Sequence, residues 1–200
     1  MIKADSVNIL LFLAQGFEDL EAVSVIDIFG WMQYRDHIPA VNVLTTSFHP
    51  TVAGRFGLKI SPDIPFNDID PSDFQALVLP GGFHSHGFDE AYDSRIHAIA
   101  RSIHQNNGFI ATMCVGVLPI ADAGLLEGKK ATTYPYSRYH DNFNRLKING
   151  AIAQDRNVVL DNRIISCRGP GSSLEAVYLL MECLMGRSVA DEVKKYMCYE

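Results

Sequence analysis

The sequence lacks two features that would point to a membrane or to a nucleic acid. No apolar run approaches the roughly 20 residues that a membrane-spanning helix needs. Basic residues are not in excess, because 17 Lys and Arg stand against 23 Asp and Glu, for a formal net charge of −6. Since nucleic-acid binding depends on a basic surface, this composition argues against it. We therefore expect neither a membrane nor a nucleic acid among the partners.

The sequence also lacks the cysteine spacing of a disulfide framework or a zinc site. Its four cysteines form no CxxC pair: Cys114, Cys167, Cys183 and Cys198. The apolar segment at residues 7–14 is too short for a signal peptide, lacks a small-residue cleavage site and is followed at once by acidic residues. These patterns predict reduced thiols in the cytoplasm and no metal site.

What the sequence does contain is an alternation of buried strands and amphipathic helices. Continuous apolar runs predict strands at residues 7–14, 40–46, 74–82 and 109–114, and helical spacing predicts helices at residues 19–33, 93–108, 115–128, 172–186 and 188–197. Strand-like stretches at 130–135, 152–162 and 163–169 include a hairpin at Asp161–Asn162, and a short hairpin is predicted around residues 57–61. The 200 residues suit one domain, 1–200, with a mostly parallel sheet and helices on both faces.

Three loops with reactive residue types follow strands of this sheet. They read QGFEDLE, PGGFHSHG and CVG. Since ligands of such sheets bind outside the carboxyl ends of the strands, these loops are expected to meet at one edge.

Cys114 lies where an apolar strand gives way to a helix of small residues. This position resembles a nucleophile elbow, in which the side chain stands clear of the strand ends. A thiol at a helix N-terminus is expected to have a lowered pKa. Taken alone, however, a single cysteine is more often a packed core residue. We expect that packing role for Cys167, Cys183 and Cys198.

The acidic and glycine-rich loops could serve such a cysteine. Glu21 lies near the apolar face of its helix, so it is expected to point inward and to stay protonated. Glu18 and Asp19 are expected to interact with the helix dipole or with solvent. The turn Pro80-Gly81-Gly82 and the N–H of Val115 could donate hydrogen bonds to a developing oxyanion.

Five motifs, in this order and spacing, resemble the ThiJ/PfpI superfamily. They are FLAQGFEDLEAV, ALVLPGG, FIATMCVGV, ATTYP and SCRGPGSSLEAVYLLMECLMG, which together cover nearly the whole chain. The similarity is closest to the Parkinson-disease protein deglycase branch. The resemblance implies a flavodoxin-like α/β sandwich, related to class I glutamine amidotransferases, and a homodimer.

The resemblance also implies roles for individual residues. Cys114 matches the reactive elbow cysteine, and Glu21 matches the glutamate whose protonated carboxyl contacts the thiolate. Glu18 is the alternative to Glu21 if the turn aligns differently, and it is otherwise expected among the substrate contacts. Gly82 and Val115 match the backbone donors around the sulfur.

Two further matches lie in the second half of the chain. Arg168 and Pro170 match residues near the subunit interface and the mouth of the site, and Arg168 is expected to contact substrate. Tyr134 is expected to take part in catalysis as a hydrogen-bond donor.

The general base is unassigned, because two positions depart from the family pattern. Val115 replaces the histidine of the protease-like members, and Tyr134 replaces the histidine typical of the deglycase branch. Tyrosine is a poor base at neutral pH. His84, expected near the substrate, or His86 could replace that base, although the pair in GGFHSHGF also fits an exposed loop. His140 is a further candidate donor from the same side.

Three functions agree with these residues. The first is a cofactor-independent enzyme that acts on small reactive carbonyls, as a glyoxalase or deglycase, through a hemithioacetal on Cys114. The second is an oxidative-stress sensor or redox-regulated chaperone that uses oxidation of the same cysteine. The third is an amide or ester hydrolase, which needs an imidazole within hydrogen-bond reach of Cys114.

Overall fold

The strands of the protein are known from a computed structural model, which describes residues 7–199. Residues 1–6 and residue 200, which the predicted 1–200 domain also includes, lie outside it. The described strands are β1 (Val7–Phe12), β2 (Val41–Ser47), β3 (Val52–Ala53), β4 (Lys59–Ile60), β5 (Ile64–Pro65), β6 (Ala76–Leu79), β7 (Phe109–Met113), β8 (Lys130–Ala131), β9 (Ile152–Ala153), β10 (Val158–Asp161) and β11 (Ile164–Cys167).

Seven of these strands form one sheet in the order β10-β11-β7-β6-β1-β2-β5. Every neighbouring pair in it is parallel except β10 with β11. The central strands β1, β6 and β7 are almost entirely buried, which explains their uninterrupted apolar sequences.

The helices cover both faces of the sheet. They are α1 (Asp19–Gly30), α2 (Ser94–Gln105), α3 (Val117–Asp122), α4 (Asn142–Ile148), α5 (Ser173–Met185) and α6 (Arg187–Tyr196). One apolar cluster packs α1, α5 and α6 against the sheet, and a second packs α2, α3 and α4 against its other face. The predicted flavodoxin-like sandwich with a mostly parallel sheet is confirmed. No helix among residues 7–199 is both long and apolar enough to cross a membrane.

Two helices end well before their predicted bounds. The first ends at Gly30, and a 3₁₀ turn at Trp31–Tyr34 follows it. The helix predicted over 115–128 is reduced to α3, because Gly124 and Gly128 take positive φ angles of 77° and 68°, which end the helical path. Pro119 is the third residue of α3, where it breaks no helical hydrogen bond.

Helix α4 was not predicted at all. It begins after Asp141, whose side chain accepts a hydrogen bond from Asn144 N at 2.9 Å. The segment is only seven residues long, so its periodicity is weak.

The two predicted hairpins form, with one shift. β3 pairs antiparallel with β4, around residue Gly57. The turn between β10 and β11 lies at Asn162 and Arg163, whose φ angles are 46° and 63°, instead of at Asp161–Asn162. Two successive positive φ angles are typical of a type I′ turn, which matches the twist of the paired strands. The strand-like stretch 152–162 divides into β9 and β10, which belong to different sheets.

The strand order places a crevice at the carboxyl ends of β1 and β6. The chain builds outward from β1 to β2 and β5, and then returns to place β6 on the other side of β1. Such a reversal leaves a crevice between the loops that follow the two strands. The loops after β1, β6 and β7 therefore meet at this edge, as the sequence predicted.

Candidate functional site

Cys114 stands on a sharp backbone turn directly after β7. Its φ is 54°, in the left-handed region that a residue with a side chain rarely adopts, and a 3₁₀ turn at Cys114–Gly116 leads into α3. A Cβ at Gly116 would lie 2.3 Å from the carbonyl oxygen of Leu79, so only glycine fits under the turn. Thr133 Oγ1 donates to the carbonyl oxygen of Cys114 at 3.0 Å. These contacts hold the elbow in its strained conformation.

Glu21 is fully buried on α1 and points toward this turn. Its Oε2 accepts a hydrogen bond from Gly81 N at 2.7 Å, while Oε1 has no partner among the described residues. Burial raises the pKa of Glu21 to about 8, against the opposing effect of the Gly81 hydrogen bond. The carboxyl is therefore mostly protonated at pH 7, as the sequence predicted, and it has a proton to donate.

Gly81 separates the carboxyl from the cysteine. A Cβ at this position would lie 2.7 Å from Cys114 Cβ and 3.1 Å from Glu21 Oε2. Any larger residue would push the two groups apart. The absence of a side chain at Gly81 thus allows Cys114 and Glu21 to approach each other.

The predicted lowering of the Cys114 pKa is wrong in direction. Burial is the main cause that raises the pKa of this thiol, and the negative charge of ionised Glu21 raises it further. The N–H of Val115 faces the sulfur and lowers the pKa, but by less than burial raises it. The side chain is still partly exposed. The thiol is therefore protonated at neutral pH.

Backbone hydrogen bonds join the glycine turn after β6 to the loop after β1. Glu18 N donates to Gly81 O at 2.8 Å, and Phe83 N donates to Gly16 O at 3.0 Å. Gly82 forms an isolated bridge with Phe17. The roles of Gly82 and Val115 as oxyanion donors stay predictions, and the structure supplies the fixed backbone that such donors require.

Glu18 caps helix α1. It is the N-cap residue, and its Oε2 accepts a hydrogen bond from Glu21 N at 2.8 Å. It is nearly buried, and burial raises the pKa of its carboxyl. Because this carboxylate satisfies a free N–H of the first helical turn, it positions Glu21. A direct contact of Glu18 with substrate stays a prediction.

The histidines of the glycine-rich loop form a cluster of their own. His84 Nδ1 pairs with Asp89 at 2.5 Å, and its ring lies 5.9 Å from that of Tyr92 and 5.7 Å from that of His140. His86 instead pairs with Ser85. Within residues 7–199, no histidine forms a hydrogen bond with Cys114. The same residues contain no group of three or more metal-ligating side chains.

Tyr134 and Arg168 lie beside the segment that follows β11. The ring of Tyr134 would be 3.4 Å from a Cβ at Gly169, and its backbone oxygen accepts from Asn142 Nδ2 at 2.8 Å. Arg168 forms an ion pair with Asp155 at 2.9 Å. Both residues are partly exposed. Their roles in catalysis and in substrate binding stay predictions.

Sequence reasoning missed two residues of the site and gave a third a different partner. Thr133 binds the Cys114 carbonyl, and Cys167 lies beside the elbow. Gly81 was already part of the predicted donor turn, but its N–H donates to Glu21. Thr133 and Cys167 carry no local signal, because their proximity depends on which strands pair.

Comparisons with known proteins agree with this fold. Residues 7–183 match the DJ-1/PfpI family. Protein DJ-1 homolog A of Arabidopsis thaliana is 32% identical over 190 residues, which cover 95% of this chain but only 46% of that relative. Deglycase PfpI of Pyrococcus furiosus is 31% identical over 166 residues, 82% of this chain and 92% of that relative. The crystal structure of Drosophila melanogaster DJ-1beta gives a TM-score of 0.82 at 26% identity, with 98% of this chain and 99% of that one covered. The chain therefore belongs to the DJ-1/PfpI family.

Proposed function

We propose that the protein is a cysteine-dependent enzyme that acts on small reactive carbonyls, as a deglycase or glyoxalase. The observation that carries the proposal is the neutral, buried carboxyl of Glu21 across Gly81 from the strained Cys114. Residues held in rare backbone conformations cluster at functional sites. Relatives named deglycases support the same assignment.

The first chemical step is addition of the Cys114 sulfur to an aldehyde carbonyl. The sulfur forms a bond to the carbonyl carbon, the C=O π bond breaks, and its electron pair moves to the oxygen. The thiol proton leaves the sulfur, and the oxygen gains a proton, so the product is a neutral hemithioacetal. No oxidant or cofactor takes part in this step.

Glu21 and the backbone donors assist the addition. The protonated carboxyl, with Oε1 unpartnered within the described residues, donates the proton that the carbonyl oxygen gains. It then accepts the proton that the thiol loses, so it returns to its starting state. The N–H groups of Val115 and Gly82 stabilise the negative charge that develops on the oxygen.

Replacement of the sulfur tests this proposal. Cys114→Ser is expected to lower the rate of methylglyoxal consumption at least about 100-fold, because a serine hydroxyl is a far weaker nucleophile than a thiol. Cys198→Ser is the matched control, since Cys198 is exposed, contrary to the packing role expected from the sequence. It is expected to leave the rate unchanged. A Cys114→Ser protein that consumes methylglyoxal at the wild-type rate would refute the proposal.

A second candidate is a sensor of oxidants, with or without chaperone activity, and one observation favours it. The unpartnered Oε1 of Glu21 is available to donate a hydrogen bond to an oxygen atom added to the Cys114 sulfur. After mild peroxide treatment, peptide mass spectrometry should find Cys114 modified first. Added oxygen on Cys198 with Cys114 still reduced would eliminate the sensor.

The hydrolase is the less supported alternative. It needs a histidine near the nucleophile, and the imidazole of His84 is paired with Asp89 in the structure. A partner chain could supply another histidine. The enzyme acting on carbonyls needs no such residue.

We further propose that the protein is a homodimer in the cytoplasm. Leu20, Val23 and Ile26 form an exposed apolar row on α1, at intervals of three residues, and Phe56 and Phe83 lie exposed with their rings 5.6 Å apart. A second copy of the chain would cover this row. Helix α1 also carries Glu21, so the interface would stabilise the helix that holds the catalytic carboxyl.

A further inference from the structure

Cys167 is a second thiol at the carboxyl edge of the sheet. It ends β11, where it pairs in register with Met113, the residue before Cys114. The side chain is fully buried, and its sulfur lies 3.7 Å from the carbonyl oxygen of Gly169. The N–H of Cys114 faces this sulfur. The two cysteines are therefore neighbours across adjacent strands.

The strand geometry brings their backbones within the range of a disulfide. Parallel neighbours lie about 4.8 Å apart and a strand rises about 3.3 Å per residue, so residues offset by one position have Cα atoms roughly 6 Å apart. Disulfides span Cα separations of about 4.4 to 6.8 Å. Strand alternation alone would direct the two side chains to opposite faces, but the left-handed φ of Cys114 breaks that alternation.

Glu21 lies close to both cysteines, although Cys167 packs in the apolar cluster on the α1 face and Cys114 also contacts the cluster on the other face. Its charge is the largest electrostatic cause that raises the pKa of Cys114 and also that of Cys167. Its carboxyl is on α1, on the same side of the sheet as Cys167. One buried carboxyl thus lies close to two thiols.

We propose that Cys167 resolves the oxidation of Cys114 by forming a disulfide with it. A hydroperoxide first oxidises the Cys114 sulfur by two electrons to a sulfenic acid, and the peroxide O–O bond breaks to release an alcohol or water. The Cys167 sulfur then attacks the sulfenic sulfur, the S–O bond breaks, and the hydroxyl leaves with the Cys167 proton as water. The inference rests on the reactivity that the proposed function assigns to Cys114.

The two cysteines differ in their exposure to solvent, and this difference gives them different roles. An oxidant from solvent reaches the partly exposed Cys114 but not the buried Cys167. The disulfide captures the sulfenic acid before a second oxidant converts it to the sulfinic acid, which thiols do not reduce. The modification is then reversible, and it blocks addition to carbonyls while it lasts.

Mass spectrometry of the full chain tests the inference. The wild-type protein is treated with hydrogen peroxide near equimolar amounts, its remaining thiols are alkylated, and it is digested without reductant. We expect a linked peptide pair that contains Cys114 and Cys167, two hydrogens lighter than the reduced pair and lost on treatment with dithiothreitol. In Cys167→Ser, dimedone labelling of Cys114 should increase at least about fivefold, whereas Cys183→Ser should behave as wild type.

The outcomes separate this inference from the proposed function. Wild-type protein that gives a dimedone adduct or a sulfinic acid at Cys114, without the linked pair, refutes the disulfide and leaves the reactive cysteine intact. Protein in which Cys114 neither oxidises nor supports methylglyoxal consumption refutes both. The wild-type measurement needs no variant, so a folding defect in Cys167→Ser cannot decide the result.

Discussion

The protonated carboxyl of Glu21 should make the stability of the protein depend on pH in a characteristic way. Burial raises its pKa from 4.5 to about 8. Between these values the folded protein keeps a proton that the unfolded chain has lost. The stability that this proton contributes is therefore fully present below pH 4.5 and decreases as the pH rises toward 8, by about 1.4 kcal/mol per pH unit.

Replacement by glutamine isolates this effect. Glu21→Gln preserves the shape and the hydrogen bond from Gly81 N, but it removes the titration. From pH 5 to pH 8, the wild-type protein should lose between about 3 and 4 kcal/mol of unfolding free energy relative to the variant. Ionisable groups that do not interact with Glu21 titrate alike in both proteins and cancel in the difference; Glu18, whose charge raises the Glu21 pKa, is the exception.

Urea denaturation at pH 5, 6, 7 and 8 measures the difference, with circular dichroism and Trp31 fluorescence as probes. Both proteins should carry Cys114→Ser, so that titration of the coupled thiol does not contribute. Glu127→Gln is the control for removing a carboxyl at an exposed position. If the difference between the protein that keeps Glu21 and the Glu21→Gln variant stays constant within about 0.5 kcal/mol over this pH range, the buried carboxyl is not protonated as argued.

Two further predictions concern packing. Gly116→Ala should destabilise the protein by about 2 kcal/mol or more in urea denaturation, because its Cβ would lie 2.3 Å from Leu79 O. Gly171→Ala, with open space around it, is the control and should change stability by less than about 0.5 kcal/mol. Equal effects of the two substitutions would contradict the tight packing under the elbow. Val23→Glu should convert a dimer to a monomer in sedimentation velocity, while Ile148→Glu, on the exposed side of α4, should not, and an unchanged dimer in Val23→Glu would place the interface elsewhere.

The sequence predicted most of the sheet because its strands are buried on both faces. Uninterrupted apolar runs marked β1, β6 and β7, and the parallel order followed from their alternation with helices. The short helix α4 was not predicted, since the stability of its seven residues depends on the cap at Asp141 and on the packing of Leu146. Local pattern carries little information about such segments.

The site was predictable to the extent that it is local. Glu21 was predicted to point inward from its place beside Leu20 and Val23, but those two residues are exposed. Glu21 is buried instead because it lies on the stripe of α1 that contains Val25 and Ile28, so the prediction was right for a wrong reason. The direction of the Cys114 pKa was missed, since the dipole of a following helix is visible in sequence but burial by distant segments is not. Cys167 was missed for the same reason, because its place beside Cys114 depends on the register of β11 with β7.

The hydrogen bonds that join the loop after β1 to the glycine turn after β6 have a consequence for folding. Glu21 and Gly81 are sixty residues apart in the chain, so these bonds form only when β6 pairs with β1. Before that pairing, Cys114 has no carboxyl beside it and resembles any cysteine of an unfolded chain. The amides of Glu18, Gly81 and Phe83 should then exchange with deuterium only when the central sheet opens. The thiol therefore gains its neighbouring carboxyl in the same folding step that pairs β6 with β1.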